Sequence, residues 1–258
     1  MIFLKKIVRI AKKVLLPAIF WIAVWEVCAL LVNREVLFPS PLTVAKRFVL
    51  LLTDSTFYKS VFTSVARILA GYLVGIAAAV VTATLSFYSK AAATLLNPVF
   101  TAIRATPVAS FIIIALVWMG RGIVPSFTSA LMVLPVVFGS MLEGLSSASP
   151  TLYEVAEIYK FGFMKKLRLL YLPSAVPAFV ASLKTSLGLA WKAGVAAEVL
   201  CTPKNSIGSS IYSSKLYLET ADLFAWTLTV ILLSLLLELL LSVSTTKLCR
   251  KYTVSDAG

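Results

Sequence analysis

Histidine is absent from the 258-residue chain, and cysteine is rare. Without histidine, the chain lacks the side chain that most often serves as a general base or a metal ligand. The three cysteines, Cys28, Cys201 and Cys249, are far apart and odd in number, so the sequence predicts neither a zinc site nor a disulfide framework. We therefore expect no metal site in this chain.

The motifs of common enzymes and nucleotide-binding sites are missing as well. No G-x-x-x-x-G-K-[ST] is present, so the chain has no loop of its own to hold nucleotide phosphates. There is also no H-E-x-x-H, no G-x-S-x-G and no pair of carboxylates suited to a cleft. We expect a protein that is not an enzyme, with no catalytic residues and no cofactor.

Charged residues are scarce too, at 14% of the chain, whereas soluble domains carry about 25%. Hydrophobic residues make up 60%, and a chain with so few polar residues cannot cover its own surface in water. The net charge of +13 does not indicate nucleic-acid binding, because the cations lie between long apolar runs and not on one water-soluble face. The composition indicates a protein of the lipid bilayer.

Six apolar stretches are long enough to cross a membrane, which takes about 20 residues for each helix. They occupy residues 14–32, 68–87, part of 91–120, 122–142, 175–200 and 223–246. The sequence therefore predicts an all-α, polytopic membrane protein with a six-helix domain over residues 14–246. A basic N-terminal tail (1–13) and a C-terminal tail (247–258) flank this domain.

Basic residues predict the orientation of these spans, since cytoplasmic segments carry an excess of lysine and arginine. Both tails are basic, so we expect both termini in the cytoplasm. The first external segment is also basic, which opposes this bias. Part of it, residues 41–52, could be a helix on the membrane surface, with Lys46 and Arg47 beside lipid phosphates.

Small residues recur in the second span, where Gly71 and Gly75 form a G-x-x-x-G. Such a face lets two helices approach closely. Two interpretations remain open from the sequence, packing inside one subunit or a seam between two copies. Prolines at 98, 107, 125 and 135 are expected to interrupt the third and fourth spans.

Charged residues inside the apolar stretches are functional candidates, because a charge at mid-bilayer costs about 2.5 kcal/mol or more. Arg104 lies in the third stretch near Pro107, and Lys192 lies in the fifth beside Trp191. These four residues are our candidates for a solute path. The alternative is structural pairing: Lys192 could neutralise Glu198, Lys184 could reach the membrane surface, and Glu26 and Glu238 could pair elsewhere.

The loop between the fourth and fifth spans, residues 149–173, carries a short amphipathic helix. Ser149 and Pro150 suit its N-cap and first turn. Leu152, Val155, Ala156 and Tyr159 recur on one face, whereas Glu154, Glu157 and Lys160 lie off that face. Two interpretations of this apolar face remain open. It could lie on lipid headgroups or on the chain's own helical bundle, or it could bind in the groove of another protein.

The loop and several other segments together resemble a known family. The run from Glu154-Val-Ala156 to Leu172-Pro173 is similar to the "EAA" loop of ABC importer permeases. Other segments resemble the nitrate, sulfonate and taurine branch: Phe38-Pro39-Ser40-Pro41, Arg67, Arg104-Ala-Thr-Pro107, Leu116-Val-Trp118-Met-Gly120 and Gly188-Leu-Ala-Trp191 to Ala197-Glu198. These segments follow the order and spacing of the family, and together they extend over most of the chain.

This resemblance implies a type I ABC importer permease fold in a bacterial plasma (inner) membrane. It implies two permease copies forming a homodimer, two ABC ATPase subunits that hold ATP and Mg, and an extracytoplasmic solute-binding protein. It also assigns the coupling to the ATPase subunit to Leu152, Glu154, Val155, Ala156, Tyr159 and Gly162. The solute would be small and polar or anionic.

One position departs from the family pattern. Lys160 stands where the family has a glycine, and the nearest glycine is Gly162. Glycine would supply the positive-φ turn between the two halves of the loop. Either the turn has moved to Gly162 or it forms in another way.

The alternative from another class is a self-sufficient secondary transporter or channel. Such proteins couple transport through intramembrane carboxylates or inverted repeats. No inverted repeat is visible, and only Glu26, Glu198 and Glu238 could serve. A membrane-embedded enzyme is a remote third interpretation.

Overall fold

The computed structural model describes residues 2–253, with side chains described at 15–162 and 164–245. The side chains of the predicted tails, 1–13 and 247–258, lie outside this part of the chain. The described part is helical: α1 (Ile2–Val32), α2 (Pro41–Leu51), α3 (Ser55–Tyr88), α4 (Lys90–Ala105), α5 (Val108–Trp118), α6 (Val124–Ser146), α7 (Pro150–Ile158), α8 (Phe163–Lys166), a π-helical turn (Leu167–Tyr171), α9 (Leu172–Cys201), α10 (Ile207–Leu216) and α11 (Thr220–Thr253).

The predicted spans coincide with helices of this architecture. Four helices of the described residues, α1, α3, α6 and α11, are long and apolar enough to cross a membrane, and α4 with α5 makes a fifth if it counts as one span. The 30-residue α9 is long enough, at about 45 Å, but it carries three charges. The all-α membrane fold is confirmed, and a count of six spans is consistent with these helices.

Pro107 breaks the third predicted span. α4 and α5 meet at an angle of 106°, and Thr106 between them is extended (ψ 132°). The cause is local, because proline lacks an N–H and disfavours the helical conformation of the residue before it. The other prolines behave differently from our expectation: Pro98 and Pro135 lie inside continuous helices, and Pro125 lies in the first turn of α6.

The chain forms two compact units. The smaller one contains Met1–Lys59 and Ser210–Thr229. In it, the Trp25 indole N–H donates to the Pro39 carbonyl (3.0 Å), and the Trp25 ring stacks on Phe224 with centroids 5.7 Å apart. The helix expected at 41–52 is present as α2, but the Arg47 guanidinium binds both Asp222 carboxylate oxygens. Asp222 is therefore a partner of Arg47 within the chain, a contact that the sequence did not indicate.

The larger unit contains Ser60–Ser209 and Val230–Gly258. Its core is built around α3, α6 and α9, with Tyr72, Val133, Val137 and Leu187 among its buried residues. The Tyr72 hydroxyl crosses from α3 to donate to the Leu183 carbonyl of α9 (2.8 Å).

The face of Gly71 and Gly75 is occupied inside this unit. A Cβ on Gly71 would overlap the Ser126 carbonyl of α6, and one on Gly75 would lie 2.7 Å from the Ala130 carbonyl. These glycines therefore let the α3 and α6 backbones approach closely. Of our two interpretations, the structure supports packing within one subunit.

We expect Gly71→Ala to lower the free energy of unfolding by about 1–3 kcal/mol, because the added methyl group meets backbone that cannot rotate away. Thermal unfolding in detergent measures this loss. Gly120→Ala is the matched control, since a Cβ there would meet nothing within 4 Å. Equal stability of the two variants would contradict the close approach of α3 and α6.

Candidate functional site

The amphipathic helix predicted in the loop is present as α7. It begins at Pro150, and Ser149 occupies the N-cap position, although its side chain makes no capping hydrogen bond. With nine residues, α7 is too short to be stable alone and must be held by its surroundings.

One side of α7 is apolar and open. Leu152 is 56% exposed, Val155 39%, Ile158 76% and Tyr159, at the C-cap, 72%. We call these four side chains the exposed α7 face. Ala156, which we placed on this face, is instead buried at 3% exposure and packs within the chain. Ile158 was missed, although its spacing of three residues from Val155 would have identified it.

α7 ends in a Schellman motif that is centred on Lys160. The Phe161 N–H donates to the Ala156 carbonyl (2.8 Å) and the Lys160 N–H donates to the Glu157 carbonyl (2.9 Å), while Lys160 has a φ of 47°. None of the glycines in the described residues has a positive φ, so the turn has not moved to Gly162. It keeps the family position, where a lysine costs about 1–2 kcal/mol in this conformation.

An ionic contact also ties α7 to the following segment. Lys166 donates to the Glu157 carboxylate, and its ammonium lies 5.2 Å from the centre of the Tyr153 ring. Hydrogen bonds from Lys166 and then Tyr153 lower the pKa of Glu157, and the bond to Glu157 raises the pKa of Lys166. Glu154 is exposed off the apolar face, as expected. The Schellman turn and this contact connect the end of α7 to the segment before α9.

Arg104 is held against α6. Its guanidinium donates to the Pro135 carbonyl (2.5 Å), and a Cβ on Gly139 would lie 2.9 Å from the same nitrogen. The arginine occupies the last turn of α4, where a positive charge interacts favourably with the helix dipole. Pro107 follows at the exposed N-cap of α5.

Trp191 and Lys192 are neighbours in sequence but lie in different environments. Trp191 is 1% exposed, and its indole N–H donates to the Val230 carbonyl of α11 (3.1 Å). Lys192, about 100° further round α9, is exposed. The structure therefore gives these two candidates different environments, and Arg104, at the end of α4, is held against α6.

Glu198 is a buried carboxylate, and Lys192 is not its partner. Its Oε2 accepts from the Ser64 hydroxyl (2.7 Å) and the Gly208 N–H (3.2 Å), and Arg67 Nη1 lies 3.9 Å from Oε1. We call Ser64, Arg67, Glu198 and Gly208 the Glu198 cluster. Arg67 and Glu198 lie far apart in the sequence, and nothing local indicates that they meet.

The Glu198 cluster joins three helices. The Ser64 hydroxyl of α3 also accepts from the Ile207 N–H (2.9 Å), so two N–H groups at the start of α10 bind polar atoms of the cluster. Arg67 donates to the Lys204 carbonyl (3.3 Å) in the link before α10. A carboxylate is favoured at a helix N-terminus, so Glu198 fastens α10 to α9 and α3.

A charged groove of about 560 Å³ lies between α9 and α11. Its lining is Lys184, Thr185, Gly188, Leu189, Lys192, Glu238 and Ser242. We call this feature the α9–α11 groove. The Lys184 side chain is exposed, and its ammonium donates to the Ser242 hydroxyl (3.2 Å).

These features define a class of protein. Several apolar helices, a charged groove between two of them and a short exposed amphipathic helix describe a multi-pass membrane transport protein. Residues 71–253 match the model of the family described as "Binding-protein-dependent transport system inner membrane component". The chain belongs to this family and is a permease subunit of an ATP-driven ABC importer.

Curated relatives agree with this assignment. The chain is 26% identical over 216 residues to the "Putative aliphatic sulfonates transport permease protein SsuC" of Bacillus subtilis, covering 83% of this chain and 78% of the relative. It is 21% identical over 224 residues to the "Taurine transport system permease protein TauC" of Escherichia coli, covering 83% and 80%. The resemblance to the sulfonate and taurine branch is confirmed.

A third relative is named for a different solute. This is the "Formylaminopyrimidine transport permease protein ThiX" of Halalkalibacterium halodurans, 25% identical over 181 residues, with 67% of this chain and 71% of the relative covered. A solved structure described as "Crystal structure of an amino acid ABC transporter with histidines" superposes with a TM-score of 0.61 at 13% identity, covering 81% of this chain and 97% of that chain. This likeness shows the permease fold.

Proposed function

We propose that the exposed α7 face docks on an ABC ATPase subunit and carries its motion into the membrane helices. The observation that carries the proposal is the open apolar surface of Leu152, Val155, Ile158 and Tyr159 on a helix that is already formed, with Ala156 buried against its own chain. A helix that is already formed loses little conformational freedom on binding, and apolar anchors on successive turns suit a groove in a partner protein.

The complex then has two copies of this permease, two ATPase subunits and an extracytoplasmic solute-binding protein. Two identical permeases related by a two-fold axis present two equal α7 faces, one to each ATPase. ATP and Mg bind on the ATPase subunits. α7 lies on the cytoplasmic side, and both termini lie there too. The membrane is the plasma membrane of a bacterium.

The α9–α11 groove is the proposed solute path. Lys184, Lys192 and Glu238 lie on helices of the membrane domain, and a charged group facing lipid there would cost several kcal/mol. An aqueous path removes this cost. Trp191 is buried and bonds to α11, Pro107 breaks the helix between α4 and α5, and Arg104 holds the end of α4 against α6.

The mechanism follows from these contacts. ATP binding closes the ATPase pair, and α7 moves with the surface on which it is docked. Because the Schellman turn and the Glu157–Lys166 contact connect α7 to the segment before α9, the motion reaches α9 and the groove. Access to the groove alternates by rigid-body movement of the helices. The relatives named for sulfonates, taurine and formylaminopyrimidine support a small polar or anionic solute.

Reconstitution into liposomes tests this proposal. Solute uptake is expected only when the permease, its ATPase and the binding protein are all present with ATP. The purified permease alone is expected to hydrolyse no ATP above an empty-liposome control, because it has no phosphate-binding loop. Uptake by the permease alone under an ion gradient would establish a self-sufficient secondary transporter and contradict the proposal.

A further inference from the structure

We propose that the segment between α7 and α9 binds anionic phospholipid headgroups at the membrane surface. The residues concerned are Met164, Lys165, Arg168, Leu169 and Leu172, which we call the 164–172 face. All five side chains are exposed, and they combine three large apolar groups with two cations. The inference adds a lipid partner to this loop and goes beyond the docking of α7 on an ATPase.

The five side chains lie on one side of a continuous helix. α8, the π-helical turn and α9 follow one another without a break. Positions 164, 168 and 172 are four residues apart, as are 165 and 169, and such positions share a side of an α-helical or π-helical segment. Between them, Leu170 is buried at 4% exposure and Leu167 is half-buried. One side of the helix therefore packs on the chain, and the 164–172 face is open.

Contacts with α3 place this face at the end of a membrane helix. The Tyr171 ring meets the Phe87 ring edge to face, with centroids 5.2 Å apart. Phe87 lies in the last turn of α3, which is long and apolar enough to cross a membrane, and Tyr88 ends that helix at 50% exposure. Tyrosine is enriched where membrane helices pass from hydrocarbon into the headgroup layer. The 164–172 face therefore lies at the depth of lipid headgroups.

The two cations of the face have no acidic partner. In the part of the chain that the structure describes, no ion pair involves Lys165 or Arg168, whereas the neighbouring Lys166 is bound by Glu157. The Lys165 ammonium lies 3.9 Å from the centre of the Phe161 ring, a contact that holds the ammonium without neutralising it. Both charges are thus available to an anion from outside the chain.

The mixture of side chains selects the headgroup layer as the partner. Water does not favour three large apolar side chains on one face, and hydrocarbon does not favour two free cations. At the membrane surface, lipid phosphates bind the cations while the apolar side chains reach the upper part of the acyl chains. A net-neutral headgroup such as that of phosphatidylcholine carries a cation of its own, so an anionic headgroup binds better to this face.

Fluorescence quenching beside the 164–172 face tests the inference. A fluorophore is attached at Met164→Cys in a background with Cys28→Ala and Cys249→Ala, in which Cys201 is buried. The permease–ATPase complex is placed in phosphatidylcholine nanodiscs that contain either phosphatidylglycerol or phosphatidylcholine labelled with a nitroxide near the top of one acyl chain. We expect phosphatidylglycerol to be preferred at this site by roughly 5- to 25-fold, since each cation beside an anionic headgroup contributes about fivefold.

Charge variants identify the groups that cause the preference. The double variant Lys165→Gln, Arg168→Gln is expected to abolish the preference, and Lys165→Arg with Arg168→Lys is expected to retain it, because the charges remain. The matched control is Lys204→Gln with Lys215→Gln, which removes the same charge from exposed positions outside the face and should leave the preference unchanged.

Three outcomes would overturn the inference. They are equal quenching by the two labelled lipids in the wild type, an unchanged preference in the Lys165→Gln, Arg168→Gln variant, or absence of quenching by either lipid together with weaker ATPase binding in that variant. The last would assign the 164–172 face to an acidic surface of the ATPase. ATP-dependent uptake by the wild-type complex is compatible with each outcome, so failure here is distinguishable from failure of the proposed function.

Discussion

Val155→Asp is expected to abolish ATP-dependent uptake while the membrane helices still insert and fold. The aspartate would place a charge in the middle of the exposed α7 face, where docking removes it from water without a partner. Such a charge at an interface costs about 3–5 kcal/mol, which lowers the affinity for the ATPase by roughly 150- to 4,000-fold. Co-purification of the ATPase and uptake per permease measure the effect, and Ile158→Asp should behave in the same way.

Two comparisons make this prediction specific. Ser146→Asp adds the same charge at an exposed position near α7 but off its face, and should leave docking unchanged. Ala156→Asp should instead destabilise the permease itself, because Ala156 is buried in its own chain. Normal uptake and normal ATPase binding by both Val155→Asp and Ile158→Asp would remove α7 as the docking surface.

Glu198→Ala is expected to lower the free energy of unfolding by about 3–5 kcal/mol, the usual effect of removing one partner from a buried charged network. The Gly208 N–H and the Ser64 hydroxyl would each lose an acceptor, and Arg67 would lose its counter-charge. Thermal unfolding of the detergent-purified permease measures the loss. α10 should also become more accessible to protease, since its first turn is fastened by the Glu198 cluster.

The conservative variant separates hydrogen bonding from charge. Glu198→Gln retains an oxygen that can accept from Ser64 and Gly208, so we expect it to recover part of the stability lost in Glu198→Ala. Glu143→Ala is the control, because Glu143 is exposed on α6. A loss in Glu198→Ala no larger than in this control would show that the Glu198 cluster does not hold α10 in place.

Local pattern identified most of the helices and the α7 segment. A bilayer requires long apolar runs, so hydropathy alone placed a span on α1, α3, α6 and α11, and the charged α9 was recognised by its length. The spacing of Leu152, Val155 and Tyr159 marked the open side of α7. These properties depend on a few turns of helix, in which the spacing of residues determines which side chains share a face.

Contacts between segments that are distant in the sequence could not be predicted from local patterns. Lys192 was a reasonable partner for Glu198 because it lies nearby on the same helix, whereas the structure pairs Glu198 with Arg67 of α3. Arg47 was expected to meet lipid, but Asp222 lies beside it. In both cases the nearest opposite charge comes from a segment far away in the sequence, and only packing decides which one it is.

The sequence by itself therefore determined the membrane class, the permease family and the existence of a short amphipathic helix between two spans, since composition, hydropathy and motif order express these properties locally. Only the tertiary structure decided that Ala156 is buried while Ile158 is open, and that the loop turns at Lys160. It alone brought Lys184, Lys192 and Glu238 to one groove. The physical reason is that burial, charge pairing and backbone strain depend on which remote surfaces meet.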